Sequence, residues 1–171
     1  HAINLAMVEA ASRLAASGIR VAITHQTGER DLDLVRAAYE RAGLAARVEA
    51  FIYEIDREMK AADVVICRAG ATTLAELAAS GTPAILVPLP HALDNDQLQN
   101  ALNLAKAGGA WCHEQKSLTP ERLAAEITRL LTTPGTLSAA AAAAKSQGRP
   151  DAVIRLADLV EERMGLRRKS A

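Results

Sequence analysis

Five short apolar runs punctuate the chain: Ile19–Thr24, Ala46–Ile52, Val64–Cys67, Ala84–Val87 and Ala110–His113. Each is too short for a helix, so each predicts a buried strand. Between them, apolar residues return at helical spacing. Ile3–Ala16 closes on Ser17-Gly18, the amphipathic stretch Glu29–Ala42 on Gly43, and Gln97–Ala107 on Gly108-Gly109, all good helix stops. Tyr53–Ala61 predicts a short helix with Ile55, Met59 and Ala62 facing inward. Thr119-Pro120-Glu121 opens a helix cleanly, with Thr as cap, Pro in the first turn and an acid after it. The alanine run Ala139–Ala144 is helical by propensity but poor in side-chain volume. Pro150-Asp151 breaks it, and Ala152–Met164 predicts a last helix. Strands alternating with helices predict an α/β fold: a Rossmann-like parallel sheet flanked by helices, formed by residues 1–171 as a single domain.

The stretch Ala62–Gly81 organises the rest. Its strand stops at Arg68-Ala69-Gly70-Ala71, where Thr72 and Thr73 are placed to cap a helix carrying Leu74, Leu77 and Ala78 on one face. A strand, a turn of small residues and a helix N-terminus aim free N–H groups and a partial positive charge at the space above the strand end. An anion suits that space. Glu76, one turn into the helix, does not suit a phosphate, but its carboxylate can accept two hydrogen bonds from a sugar diol. Geometry alone equally allows a plain βα turn with Glu76 as a first-turn dipole partner. In parallel sheets ligands lie beyond the carboxyl ends of the strands. The loops His25–Gly28, Ile52–Glu54, Arg68–Thr73 and Pro88–Gln97 all fall at that edge.

Composition removes several classes. Lysine and arginine together number 20, as do aspartate and glutamate. No bulk charge therefore draws the domain to nucleic acid or acidic lipid. Tyr39, Phe51, Tyr53 and Trp111 are too few for a single-strand stacking platform. Cys67 and Cys112 make neither a disulfide framework nor a metal quartet, and point to a reducing cytosol. No run of about twenty apolar residues is present. Cys67 reads as inert core, and Cys112 and His113 point opposite ways on a strand. His25 and His91 could meet at the sheet edge, but loop histidines that only hydrogen-bond are commoner. Neither a G-x-S-x-G elbow, nor a Walker loop, nor a G-x-G-x-x-G after a strand occurs. Asp94, Asp96, Gln97, Gln99 and Asn100 cluster at a helix start. One cap, at Asn95 or Asp96, does not account for all of them, and together they suit several sugar hydroxyls.

Phe51-Ile52, AADVVICRAGATTLAEL (Ala61–Leu77), GTPAILVPLPHA (Gly81–Ala92), DQLQNA (Asp96–Ala101) and KAGGA (Lys106–Ala110), with HQTG at His25–Gly28, follow one another in a familiar order. The chain resembles the carboxy-terminal, donor-binding half of the bacterial peptidoglycan N-acetylglucosaminyltransferases, glycosyltransferase family 28. These enzymes convert lipid I to lipid II. The resemblance implies one half of a GT-B architecture that binds UDP-N-acetylglucosamine. It implies that Ile52 contacts uracil through its backbone, and that Gly70, Ala71, Thr72 and Thr73 present the helix N-terminus to the diphosphate. Arg68 would support that turn, Glu76 would hold the ribose, and Asp96 and Gln97 would face the sugar hydroxyls. Position 96 is Asp where relatives often carry Gln or His. The acceptor's C4 hydroxyl would attack with inversion and UDP would leave, without metal or cofactor.

The family's glycine-rich loop would end just before His1, and its amino-terminal domain holds the lipid I site, the catalytic base and the membrane-facing patch. The chain therefore reads as a fragment that binds donor weakly and does not catalyse transfer. Its parent would be cytoplasmic and peripheral on the inner face of the plasma membrane. Three other readings stay open: a donor-binding subunit of a split glycosyltransferase, a UDP-sugar 2-epimerase, and a non-catalytic nucleotide-binding module.

Overall fold

A computed structural model describes residues 1–90 and 95–164. The elements run α1 (Ala2–Ala16), β1 (Ile23–Gln26), α2 (Leu32–Arg41), β2 (Ala46–Glu49), α3 (Ile55–Ala61), β3 (Val65–Cys67), α4 (Ala71–Ser80) and β4 (Ala84–Leu86). They continue α5 (Asp96–Lys106), β5 (Ala110–Cys112), α6 (Pro120–Thr132), α7 (Thr136–Ser146) and α8 (Ala152–Arg163). Among the described residues all strand pairing is parallel, as strand–helix alternation requires. The expected single sheet is instead two parallel sheets, β1-β2 and β3-β4-β5.

The division follows from where β1 sits. The apolar run predicted a strand over Ile19–Thr24, but the ladder spans Ile23–Gln26. The β2 partner sets this: Ala46 pairs with Ile23, and Glu49 with Gln26. Ile19 is drawn back to α1 by its N–H donating to the Leu14 carbonyl at 2.9 Å. Ile19 and Val21 still pack on the same core cluster as Val64 and Ile66 from the β3 segment. The two sheets thus share a core without sharing a ladder. β2 is also shorter than its apolar run, because beyond Glu49 the backbone leaves the ladder and Gly28 N–H reaches the Ala50 carbonyl from the loop.

β4 shows how the layers form. All three of its residues are buried. Ile85 joins Ala6, Ala10 and Leu14 of α1 and Leu123, Ile127 and Leu130 of α6. Ala84 and Leu86 face Met59 of α3, Leu77 of α4, and Ala101 and Leu104 of α5. Strand alternation alone puts helices on both faces. Trp111 and Cys112 divide between the two clusters in the same way. A third cluster joins Ala11 of α1, Val35 and Tyr39 of α2 and Val48 of β2.

The alanine-rich helix α7 has a clear structural use. Ala140 and Ala144 are buried. A Cβ on Gly109 would lie 2.8 Å from Ala144 Cα, and one on Gly148 would lie 2.8 Å from the Ala78 carbonyl oxygen. Small side chains on both partners are what allow this approach. No residue of α8 is buried, and Val153, Ile154, Leu156 and Leu159 are exposed along it.

Candidate functional site

The turn between β3 and α4 is tied down from three directions. Arg68 donates from Nη1 to the Val87 and Pro88 carbonyls, each at 3.1 Å, and from Nη2 to Gln115 Oε1 at 2.6 Å. One guanidinium thus fastens the end of β3 to the end of β4 and to the turn after β5. Asn100 Nδ2 donates to the Ala69 carbonyl at 3.3 Å, so α5 holds the turn from beneath. Ala69 is fully buried.

Thr72 and Thr73 do not cap α4. The cap is Gly70, with φ −65° and ψ 147°, and Leu74 N–H returns to its carbonyl at 3.0 Å. The helix therefore starts two residues earlier than a threonine cap would place it. No side chain caps it and no acidic residue lies in its first turn. The N–H groups of Ala71, Thr72 and Thr73 point out of the helix end with no acceptor among the described residues. Gly70 adopts no left-handed conformation. A Cβ there would have only Thr73 Oγ1, at 4.0 Å, as a neighbour. Space above the turn is open.

The earlier start changes the meaning of Glu76. Counting Ala71 as the first helical residue, Glu76 is the sixth, beyond the first turn where dipole compensation acts. It is half-buried, and no hydrogen bond meets its carboxylate among the described residues. It does lie close to Cys67. Burial first, and then the Glu76 charge, push the Cys67 thiol up to about 12. Half-buried and without a hydrogen-bond partner among the described residues, at the carboxyl edge of a parallel sheet, the carboxylate is free to accept from an external donor.

The remaining expected residues frame this core. Ile52 is buried, and its N–H donates to Gln26 Oε1 at 2.8 Å. It is held from β1 rather than from the α4 turn. Asp96 is the first residue of α5; its Oδ1 accepts from Gln97 N–H at 2.7 Å. Gln97 Oε1 accepts from Leu89 N–H at 3.0 Å, pinning the chain after β4. Asn95, at φ 53°, is the helix cap. Asp94 and His91 lie outside the described residues, as does any meeting of His91 with His25. The structure thus gathers Arg68, Gly70–Thr73, Glu76 and Gln97 around one edge, with Ile52 in the loop that follows β2. Asn100 belongs to this set as a brace, and Gln26 was visible beforehand only by its place in an edge loop.

His25 is not a loop residue. It lies in β1, nearly buried, with Nδ1 3.0 Å from the Tyr39 hydroxyl and Nε2 3.2 Å from Asn4 Oδ1. Asn4 gives its amino protons to the Thr27 carbonyl and to Asp31, so its oxygen must accept from His25. Nε2 then carries the proton and Nδ1 accepts from Tyr39. The chain carries Asp-x-Asp spacing twice, at Asp31-Leu32-Asp33 and Asp94-Asn95-Asp96. Asp31 is spent on His1 and Asn4, and among the described residues no three His, Cys, Asp or Glu side chains gather as a metal site.

The family model described as the glycosyltransferase family 28 C-terminal domain matches residues 1–156. The chain belongs to this family. Among family 28 relatives, it is 51% identical over 156 residues to the UDP-N-acetylglucosamine–N-acetylmuramyl-(pentapeptide) pyrophosphoryl-undecaprenol N-acetylglucosamine transferase of Methylobacterium nodulans, covering 90% of this chain and 42% of the relative. The protein of the same name from Rhodospirillum rubrum is 46% identical over 141 residues, 82% of this chain and 36% of its own. In three dimensions the chain is similar to the crystal structure of Acinetobacter baumannii MurG, with TM-score 0.84 and 34% identity over 94% of this chain and 48% of that one. The family 28 domain here thus has the Rossmann-like GT-B half-fold. It spans less than half the length of these relatives.

Proposed function

We propose that this chain is the donor-binding half of a glycosyltransferase that moves N-acetylglucosamine from UDP-N-acetylglucosamine to the lipid-linked muramoyl-pentapeptide of lipid I, giving lipid II. The observation that carries the reading is the α4 N-terminus: three unsatisfied N–H groups, no acid in the first turn, and an unpartnered half-buried carboxylate one turn deeper. The relatives' names supply the sugar and the acceptor.

In this reading the diphosphate sits over Gly70, with the Ala71, Thr72 and Thr73 N–H groups donating to it. Glu76 accepts from both ribose hydroxyls, and the Ile52 backbone meets uracil. Asp96 and Gln97 face the sugar. Attack by the acceptor's C4 hydroxyl on the anomeric carbon inverts its configuration and breaks the bond to UDP. Negative charge grows on the departing diphosphate, where the helix dipole and fixed N–H groups stabilise it without reorganising. The acceptor site, the catalytic base and the contact with the inner face of the plasma membrane belong to parts of the protein beyond this chain. Among the described residues no helix is long and apolar enough to cross a membrane. The chain by itself binds donor weakly and transfers nothing.

Calorimetric titration with UDP-N-acetylglucosamine, UDP-glucose and GDP-mannose tests this. Selective binding of the first, reduced about tenfold or more by Glu76→Ala, is expected for the loss of hydrogen bonds to a charged acceptor. Binding indifferent to Glu76→Ala would remove the ribose assignment. Turnover of lipid I by this chain alone would overturn the division of labour.

A further inference from the structure

Several arginines of the chain meet a carboxylate: Arg47 reaches Glu58 at 2.6 Å, Arg129 reaches Glu126 at 2.8 Å and Arg13 reaches Glu9 at 3.0 Å. Arg68 is half-buried and meets none. Its acceptors are the Val87 and Pro88 carbonyls and Gln115 Oε1, all neutral. An arginine only donates, so the Gln115 atom 2.6 Å from Nη2 is its oxygen. Glu114, beside Gln115 in the chain, is exposed and taken by Lys116 at 3.0 Å. The Asp96 carboxylate accepts from Gln97 N–H. Neither Glu76 nor any other carboxylate among the described residues lies within ion-pair distance of Arg68. Burial lowers its pKa, and no carboxylate raises it; the guanidinium still keeps its proton at neutral pH. For stability alone this is the poorer arrangement, since a carboxylate partner would offset the cost of burying the cation.

We infer that Gln115 is a positioning residue for the donor's diphosphate: its neutral oxygen fixes the Arg68 guanidinium at the carboxyl edge of the sheet without cancelling its charge. Arg68 stands three residues before Ala71, the first residue of α4. Its reach spans the ends of β3 and β4 and the turn after β5. A uncompensated unit charge held there adds to the field of the α4 N-terminus, and both favour an anion. The same field steadies the diphosphate as it departs with growing negative charge. A carboxylate in place of the Gln115 amide would brace Arg68 as well or better and remove that charge from the field. The inference rests on the reading that the diphosphate sits over Gly70.

The test is an NMR titration of the isotope-labelled chain with UDP, which reads weak binding, with the melting midpoint measured alongside. It is repeated for Gln115→Glu, Gln115→Leu and Lys116→Gln. Gln115→Glu keeps an oxygen for Arg68 Nη2 and supplies the missing counter-charge. Gln115→Leu removes the oxygen and leaves the charge. Lys116→Gln takes one positive charge from the next residue, which is exposed and screened by solvent. Gln115→Glu should weaken UDP binding by about tenfold or more while melting no lower than the wild-type chain. Gln115→Leu should lower the midpoint but weaken UDP less, and Lys116→Gln should change UDP affinity by no more than about twofold. A brace alone predicts the opposite order, with Gln115→Leu the worse binder. That order, a Gln115→Glu chain within about twofold of wild type, or a Lys116→Gln loss as large as that of Gln115→Glu overturns the inference. Where UDP binding still depends on Glu76 in those cases, the donor-site reading stands without it. Failure of the wild-type chain to bind UDP overturns both.

Discussion

His25 is held neutral by its neighbours. Its Nδ1 accepts from Tyr39 and its Nε2–H is given to Asn4, whose amino group is itself committed to Asp31 and Thr27. Protonating Nδ1 would turn the Tyr39 hydroxyl away from its acceptor inside a buried pocket. Burial, with a smaller contribution from the positive N-terminus, lowers the imidazole pKa from 6.5. The folded chain therefore binds this proton less readily than the unfolded chain. Stability from this residue is complete above 6.5 and is lost as pH falls from there toward the lowered folded value. The slope cannot exceed one proton, about 1.4 kcal/mol per pH unit. Urea denaturation at neutral pH and at about pH 5 measures it, and His25→Gln should flatten the dependence in that window. An unchanged slope would place the titration elsewhere. The same residue marks a limit of sequence reading. A histidine at a strand end looks like a loop residue until the strand's partner is known, and here β2 set the register that drew His25 inside.

At the level of elements, the strand–helix order, the helix stops and the cap at Thr119, which accepts from Arg122 N–H at 3.3 Å, were legible because each rests on local chemistry. The cap of α4 was not. Thr72 and Thr73 have the right side chains, but the glycine before them takes the extended cap conformation and the helix runs through both. That shift moves Glu76 out of reach of the first-turn dipole. It removes the first-turn dipole reading of Glu76 that spacing alone had left open. The alanines of α7 were equally opaque, since their small volume is explained only by the glycines they face. The neighbouring close approach, of the segment after α7 to α4, is tested at Gly148. Its φ is not left-handed, so Gly148→Ala should act through contact alone, with the new Cβ 2.8 Å from the Ala78 carbonyl oxygen. A loss of about 1–3 kcal/mol in chemical denaturation is expected, as for other overpacked sites. Gly135→Asn makes the control, because it sits at φ +78° with open space around it and asparagine tolerates that region. Equal losses from both would refute the close-packing account.

Across the whole molecule, three apolar clusters bind α1–α7 to the strands, while α8 adds no buried residue to any of them. A chain shortened to end at Pro150 should therefore keep its denaturation midpoint, with a change within about 0.5 kcal/mol. A large fall would make α8 part of the cooperative unit. Its exposed Val153, Ile154, Leu156 and Leu159 have a further physical consequence. A helix of 12 residues is near the length at which an isolated segment barely holds its fold in water. Its amide protons should thus trade with deuterated solvent almost as fast as those of a free peptide, while those of β4 wait for global unfolding. Slow exchange along α8 would then be a clock that starts only when some other surface covers it.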